Sequence, residues 1–229
     1  MNGGKVMILR RILAVALCLG LVCPVYGAEE SKYVALTFDD GPSGRFTRGL
    51  LDGLERRGVK ATFLLCGYRI KDYPKETKRI YAQGHEIGLH GYSHSCMADM
   101  CQEELEREIA DTLALLPEGC RPVFLRPPGG KCSETVKEAA RRADLGIRSW
   151  SVDPKDWASH DSRAIEDAVI ETVRDGDVIL LHDMSDSSVE AALAIVDELR
   201  EQGFTFVTVS ELARLKGRTI EPGRVYTRF

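Results

Sequence analysis

The sequence predicts an α/β protein, a distorted (β/α) barrel of about seven parallel strands. Three observations carry this. From Tyr33 onward, short apolar runs alternate with helical stretches, the pattern of a parallel sheet covered by helices. The runs read as apolar and buried, as strands covered on both faces are. Chemistry-bearing residues fall at or just past the ends of different strands: Asp39 and Asp40, His90, Arg126, Asp153 and His182. An open doubly wound sheet would spread these along a line, whereas a barrel gathers its strand ends at one mouth.

Tyr33–Phe38 reads as the first strand, followed by a helix over Phe46–Arg57 that Gly58 stops. Ala61–Cys66 is a strand rich in Phe and Leu. Pro74–Gln83 is a helix with Pro in its first turn and Gly84 after it. His85–His90 is a short strand. Gln102–Leu116 is amphipathic, with Leu105, Ile109, Leu113 and Leu116 at helical spacing. Val123–Arg126 is a strand, and Ser133 caps a helix that runs to Ala143. Then come a strand over Ile147–Val152, a helix over Ala164–Val173, a strand over Val178–Leu181 and a helix over Val189–Gln202. Phe204–Val209 is the last strand, ahead of a short helix at Ser210–Leu215. The polar tail Lys216–Phe229 is expected to be peripheral.

Residues 1–27 stand apart. Lys5, Arg10 and Arg11 precede an apolar stretch from Ile12 to Val22, and Val25-Tyr26-Gly27 supplies small residues before a cut after Gly27 or Ala28. This is the make-up of a secretory signal peptide. Its apolar part falls short of the ~20 residues that span a bilayer, so no stable membrane span is expected after cleavage. The leader predicts a secreted or wall-associated protein, with residues 28–229 as one domain. Losing three cations moves the net charge from −4 to about −7. That balance argues against a nucleic-acid partner and favours a neutral substrate. Five of the seven Cys lie beyond the leader: Cys66, Cys96, Cys101, Cys120 and Cys132. The odd number leaves at least one thiol without an intramolecular partner, and spacing alone establishes no bridge.

Thr37-Phe38-Asp39-Asp40-Gly41-Pro42 ends the first strand with two adjacent carboxylates at a turn. Alone, it is an ordinary turn. His90 and His94 are four apart. Alone, such a pair is usually solvated helix surface. If a helical turn begins near Tyr92, both imidazoles face one way and, with Asp40, offer a two-His, one-carboxylate set suited to Zn²⁺ or another divalent ion. Asp39 is then placed to take a proton from water, and His182 to protonate a leaving group, the arrangement for hydrolysing an amide or ester. Ser43 and Ser93 lack the partners of a nucleophilic triad.

These motifs occur in order with Arg126-Pro127-Pro128-Gly129-Gly130, Asp153-x-x-Asp156-Trp157 and Leu180-Leu181-His182-Asp183. Together they resemble the NodB-homology polysaccharide deacetylases, carbohydrate esterase family four, from about Tyr33 to Leu215. The resemblance implies a distorted barrel of about seven strands and a bound divalent metal, Zn²⁺ first and Co²⁺ second. It implies removal of acetyl groups from N-acetylglucosamine in peptidoglycan or chitin, or from acetylated xylan. Peptidoglycan is preferred because a leader delivers the chain to a bacterial wall. The alternative is a catalytically weak carbohydrate-binding relative. By the same resemblance Asp39 is the catalytic base, Asp40, His90 and His94 hold the metal, and Arg126 pairs with the base. Asp156 orients the acid His182, and Trp157 and Leu180 wall the acetyl methyl. His85 belongs to a strand and is read as structural. Two departures matter. Gly91 replaces the Ser or Thr that braces the metal loop, which predicts weaker metal affinity. Gly129 replaces an aromatic of the substrate groove, although its N–H can still serve an oxyanion.

Overall fold

The computed structural model describes Met1 and residues 31–229; the expected leader and its cleavage site lie outside the described residues. Strand β1 (Lys32–Asp39) is the axis of the sheet, buried from Val34 to Asp39. Along one edge it pairs with β6 (Val178–His182), with Asp39 opposite His182. Along the other, its first half meets β7 (Phe204–Phe206) and its second half β2 (Thr62–Leu65). Beyond β2 follow β3 (Glu86–Leu89), β4 (Phe124–Leu125), β5 (Gly146–Arg148) and β8 (Val225–Tyr226), all parallel.

The sheet curls until its ends meet. Ser151 N and Val152 N both donate to Val178 O, at 3.0 and 3.2 Å, and Leu180 N donates to Val152 O at 2.9 Å. The strand expected over Ile147–Val152 is thus two pieces. Its start pairs with β4, its end bridges to β6, and a bend lies between them. This seam closes the distorted barrel. It brings the C-terminal ends of β1, β3, β4 and β6 to one mouth, because Leu65 pairs with Leu89, Leu89 with Leu125, and Asp39 with His182.

Helices cover the outside: α1 (Arg45–Arg57), α2 (Gly67–Asp72), α3 (Pro74–Ala82), α4 (Gln102–Leu113), α5 (Glu134–Arg142), α6 (Ser162–Ile170), α7 (Asp186–Glu201) and α8 (Val209–Leu215). Caps set several starts. Ser133 accepts from Val136 N at 3.2 Å, as expected. Asp161 accepts from Arg163 N and Ala164 N, which starts α6 ahead of the apolar periodicity. Thr208 caps α8 in a capping box with Glu211, and so ends β7 early. Leu50, Leu51 and Leu54 of α1 and Ile195, Val196 and Leu199 of α7 share one core with Phe38 and Phe63. Leu105 and Ile109 of α4 and Val136 and Ala139 of α5 pack with Leu89, Leu125 and Ile147 in a second. Each buried Leu or Ile contributes about 1.5–3 kcal/mol by leaving water.

Two expectations are corrected. The residues after His90 form no helix; Gly91 and His94 both have positive φ, 74° and 61°. The tail is structural rather than peripheral. Within it, β8 extends the sheet through Ile147 N to Arg224 O at 2.8 Å and Ser149 N to Tyr226 O at 2.9 Å. Tyr226 is buried, and the Arg148 guanidinium stacks 4.6 Å from the Phe229 ring. Cys66, Cys96, Cys101, Cys120 and Cys132 are free thiols. Among the described residues no helix is long and apolar enough to cross a membrane.

Candidate active site and metal centre

The end of β1 sends two adjacent carboxylates to different partners. Asp39 closes the strand and is buried, with Oδ1 2.5 Å from Arg126 Nη1. Asp40 has φ 70°, in the left-handed region, and its carboxylate turns instead towards two imidazoles. Asp40 Oδ1 lies 3.2 Å from His90 Nε2 and 2.9 Å from His94 Nε2. Gly41 follows because a Cβ there would collide with the buried carboxylate of Asp183.

Arg126, just past β4, is fully buried. Its Nε donates to Arg148 O at 3.0 Å, Nη2 to Ser149 O at 3.0 Å, and Nη1 to Thr37 Oγ1 at 3.0 Å as well as to Asp39. The Thr37 hydroxyl in turn donates to Ile179 O of β6 at 2.7 Å. Four of the five N–H groups of the guanidinium are thus bonded, which gives Asp39 a rigid cationic partner.

The set of Asp40, His90 and His94 fits a cation on the evidence of its own protons. His90 Nδ1 is 2.7 Å from Arg126 O, an acceptor only, so Nδ1 carries the ring proton. In the neutral ring Nε2 is then a bare lone pair, facing a carboxylate oxygen across 3.2 Å. Two acceptors in that position need a cation or a proton between them. The ligand atoms of Asp40, His90 and His94 all lie within 4.8 Å of one another. Burial alone would raise the Asp40 pKa, but hydrogen bonds to His90 and His94 outweigh it and hold the carboxyl well below its usual range. The hydrogen bond to Asp40 likewise raises the pKa of His94. A metal binding here takes the place of that proton.

His182, at the end of β6, faces the same point from the other side, with Nε2 4.0 Å from Asp40 Oδ2. Asp156 holds it twice: Oδ1 is 2.8 Å from His182 Nδ1, and Oδ2 accepts from His182 N at 2.8 Å. Burial disfavours the charged ring. The hydrogen bond and charge of Asp156, with Asp39 and Asp40 nearby, override this and carry the His182 pKa up to about 9. A cavity of ≈ 250 Å³ opens beside this pair, with Asp40, Trp157, His160 and Met184 in its lining.

The structure thus gathers Asp39, Asp40, His90, His94, Arg126, Asp156 and His182 at one mouth. Trp157 is 67% exposed and edges the cavity. Leu180 is buried two residues before His182 and does not line that cavity. Gly129 has φ 66° with open space where a side chain would begin. Asp153 accepts from Lys155 N at 2.9 Å and shapes its own loop. His85 is buried and accepts from Ala61 N at 3.1 Å, a structural position. Two residues were not anticipated. Thr37 stands at the head of the first motif and reads as a plain strand residue. Glu108, on α4, accepts from Tyr92 N at 2.6 Å and Ser93 N at 2.9 Å. It braces the loop between His90 and His94.

A parallel barrel whose mouth holds an Asp-His-His set, an Arg-paired carboxylate and an Asp-paired histidine has the groups that hydrolysis of an amide or ester needs. Residues 26–148 match the polysaccharide deacetylase family, and the chain belongs to that family of carbohydrate-deacetylating enzymes. It is 39% identical over 194 residues to a peptidoglycan-N-acetylglucosamine deacetylase of Bacillus cereus, covering 82% of this chain and 91% of the relative. It is 35% identical to the peptidoglycan-N-acetylmuramic acid deacetylase PdaC of Bacillus subtilis, covering 82% of this chain but only 40% of that longer protein. The solved family 4 acetyl xylan esterase of Clostridium thermocellum, in complex with a cobalt ion, superposes with a TM-score of 0.80 at 38% identity, covering 86% of this chain and 98% of that one.

Proposed function

We propose that this chain is an exported, metal-dependent deacetylase that hydrolyses the acetamide of N-acetylglucosamine residues in a polysaccharide, with peptidoglycan as its polymer. The observation that carries the reading is the division of labour between Asp39 and Asp40, one bonded to Arg126 and the other facing two histidines. The relative acting on peptidoglycan N-acetylglucosamine supports the polymer, and the leader expected at residues 1–27 supports export.

Asp40, His90 and His94 would hold the ion, Zn²⁺ with Co²⁺ able to replace it. When bound, such an ion polarises a carbonyl and makes water a better nucleophile. Asp39 takes the proton of the attacking water, and Arg126 fixes its carboxylate in the direction needed. The Gly129 N–H donates to the oxygen that gains charge as the acetyl carbon becomes tetrahedral. His182 gives its proton to the leaving nitrogen while Asp156 holds the ring through Nδ1. One proton enters at Asp39 and one leaves at His182, and acetate and a free amine result. Trp157 supplies apolar surface at the edge of the cavity, whereas the buried Leu180 packs behind it rather than walling the acetyl methyl.

The test separates the two carboxylates. Asp39→Asn should keep the metal and lose most acetate release from peptidoglycan or N-acetylglucosamine oligomers. Asp40→Ala and His94→Ala should lose the metal itself, read by elemental analysis after dialysis. Equal metal loss in Asp39→Asn would mean that the roles are exchanged. Full turnover in verified metal-free protein would end the mechanism.

A further inference from the structure

A cation that this chemistry does not use touches Met184, a residue of the cavity lining. Arg69, in the first turn of α2, is half-buried, and among the described residues no carboxylate pairs with it. Its backbone surroundings are fixed by both loops of the metal-binding set: Cys66 N donates to Gly41 O at 3.2 Å, Gly67 N to Gly91 O at 3.0 Å and Tyr68 N to Tyr92 O at 3.0 Å. The side chain is fixed as well. Nε donates to Tyr68 Oη at 3.1 Å, and Nη2 reaches within 4.0 Å of Met184 Sδ. Met184 follows His182 by two residues and lines the same cavity. The guanidinium therefore reaches from the metal loops to the strand end that carries the proposed acid. It is held at two points, with Nη1 unused.

A pre-ordered, partly desolvated guanidinium with free N–H groups matches a carboxylate in shape and charge. The net negative charge of the chain disfavours anions at long range, but a cation held beside Met184 acts at contact. We propose that Arg69 is a specificity-determining residue that binds a carboxylate on the glycan close to the acetamide being cleaved. This rests on the deacetylase reading above and narrows its substrate class. In a glycan containing N-acetylmuramic acid, a lactyl group carries such a carboxylate; where that group is joined to a stem peptide, the peptide supplies the carboxylates. Chitin oligomers supply none.

The experiment compares wild type, Arg69→Gln and Arg69→Lys on three substrates: a neutral N-acetylglucosamine oligomer, a glycan strand with free lactyl carboxylates, and the same strand bearing stem peptides. Acetate release should show KM raised about tenfold or more in Arg69→Gln on a carboxylate-bearing strand, the scale of a lost charged hydrogen bond. On that strand kcat should change less than about twofold, and the neutral oligomer should respond little; Arg69→Lys should restore part of the loss. The strand that responds identifies which carboxylate is bound. Equal effects on neutral and acidic substrates, or none on either, would overturn the proposal and leave Arg69 as packing for Met184. Equilibrium binding of the same three glycans, followed by tryptophan fluorescence, keeps the two readings apart. A charge-selective affinity that disappears in Arg69→Gln supports this inference even if no acetate is released, whereas that absence of turnover would sink the deacetylase reading alone.

Discussion

Asp39 and Asp40 are chemically identical neighbours, and a single backbone angle separates their fates. Asp39 leaves β1 in extended geometry and enters the cage of Arg126, while the left-handed φ of Asp40 swings the next carboxylate towards His90 and His94. A similar separation applies to the proposed acid. His182 is held charged by Asp156, so its loss should matter in proportion to how badly the leaving group needs a proton. His182→Ala should cut hydrolysis of the amide by about 10²- to 10⁴-fold and of an activated aryl acetate far less. A common factor for both would make His182 a substrate-positioning group. These residues were legible in the sequence because each sits in a short motif of unusual composition. Thr37, Glu108 and Arg69 were not. A strand threonine, an acid on an amphipathic helix and a lone arginine after a strand are ordinary in sequence, and only the fold shows which loop each of them touches. Gly129 was visible as a departure, but its φ of 66° was not. A tyrosine there would meet open space and a strained backbone together, so an aromatic at this position would carry a backbone cost.

At the scale of elements, α4 is the brace of the loop that carries His90 and His94, the proposed metal ligands. Glu108 lies opposite Gly91 across the helix-to-loop contact, where a Cβ at Gly91 would come within 3.1 Å of its Oε2. Bracing by a carboxylate that accepts two backbone N–H groups replaces bracing by a hydroxyl, and the weak metal affinity expected from Gly91 no longer follows. Glu108→Ala should raise the Zn²⁺ dissociation constant by about 10- to 100-fold, the usual effect of removing support one shell out from the ligands, with Glu108→Gln between it and wild type. Competition with a chromogenic chelator measures this; an unchanged constant would mean that the loop holds itself. The long helices and the core strands were legible because their apolar residues repeat at the right period. The misread elements are short: α2 has too few residues for a period, and in the Ile147–Val152 run the apolar Ile147, Trp150 and Val152 bridge the break at Ser149–Ser151, so it reads as continuous strand.

For the whole molecule, the tail and the site are joined through β5. Arg148 O and Ser149 O, which hold Arg126, belong to the segment whose outer edge β8 covers. Tyr226 anchors β8, packing with Phe229 and bonding to Glu221 N and Thr219 O. Tyr226→Ala should cost about 3 kcal/mol and lower Tm by about 6–12 °C, and should also reduce kcat well below the new Tm, because Arg126 loses firm acceptors. A peripheral tail would shift Tm by no more than a degree or two. The seam between Val152 and β6 has a different consequence, one that concerns how the barrel breathes. It rests on a few backbone bonds, whereas β1 is zipped along both edges. Amide hydrogens of Ser151 and Val152 should therefore exchange with solvent deuterium long before those of Leu36, Thr37 and Phe38. Opening there would peel β5, and with it the partner of Asp39, away from a half-molecule in which Asp40 and His182 stay locked on adjoining strands.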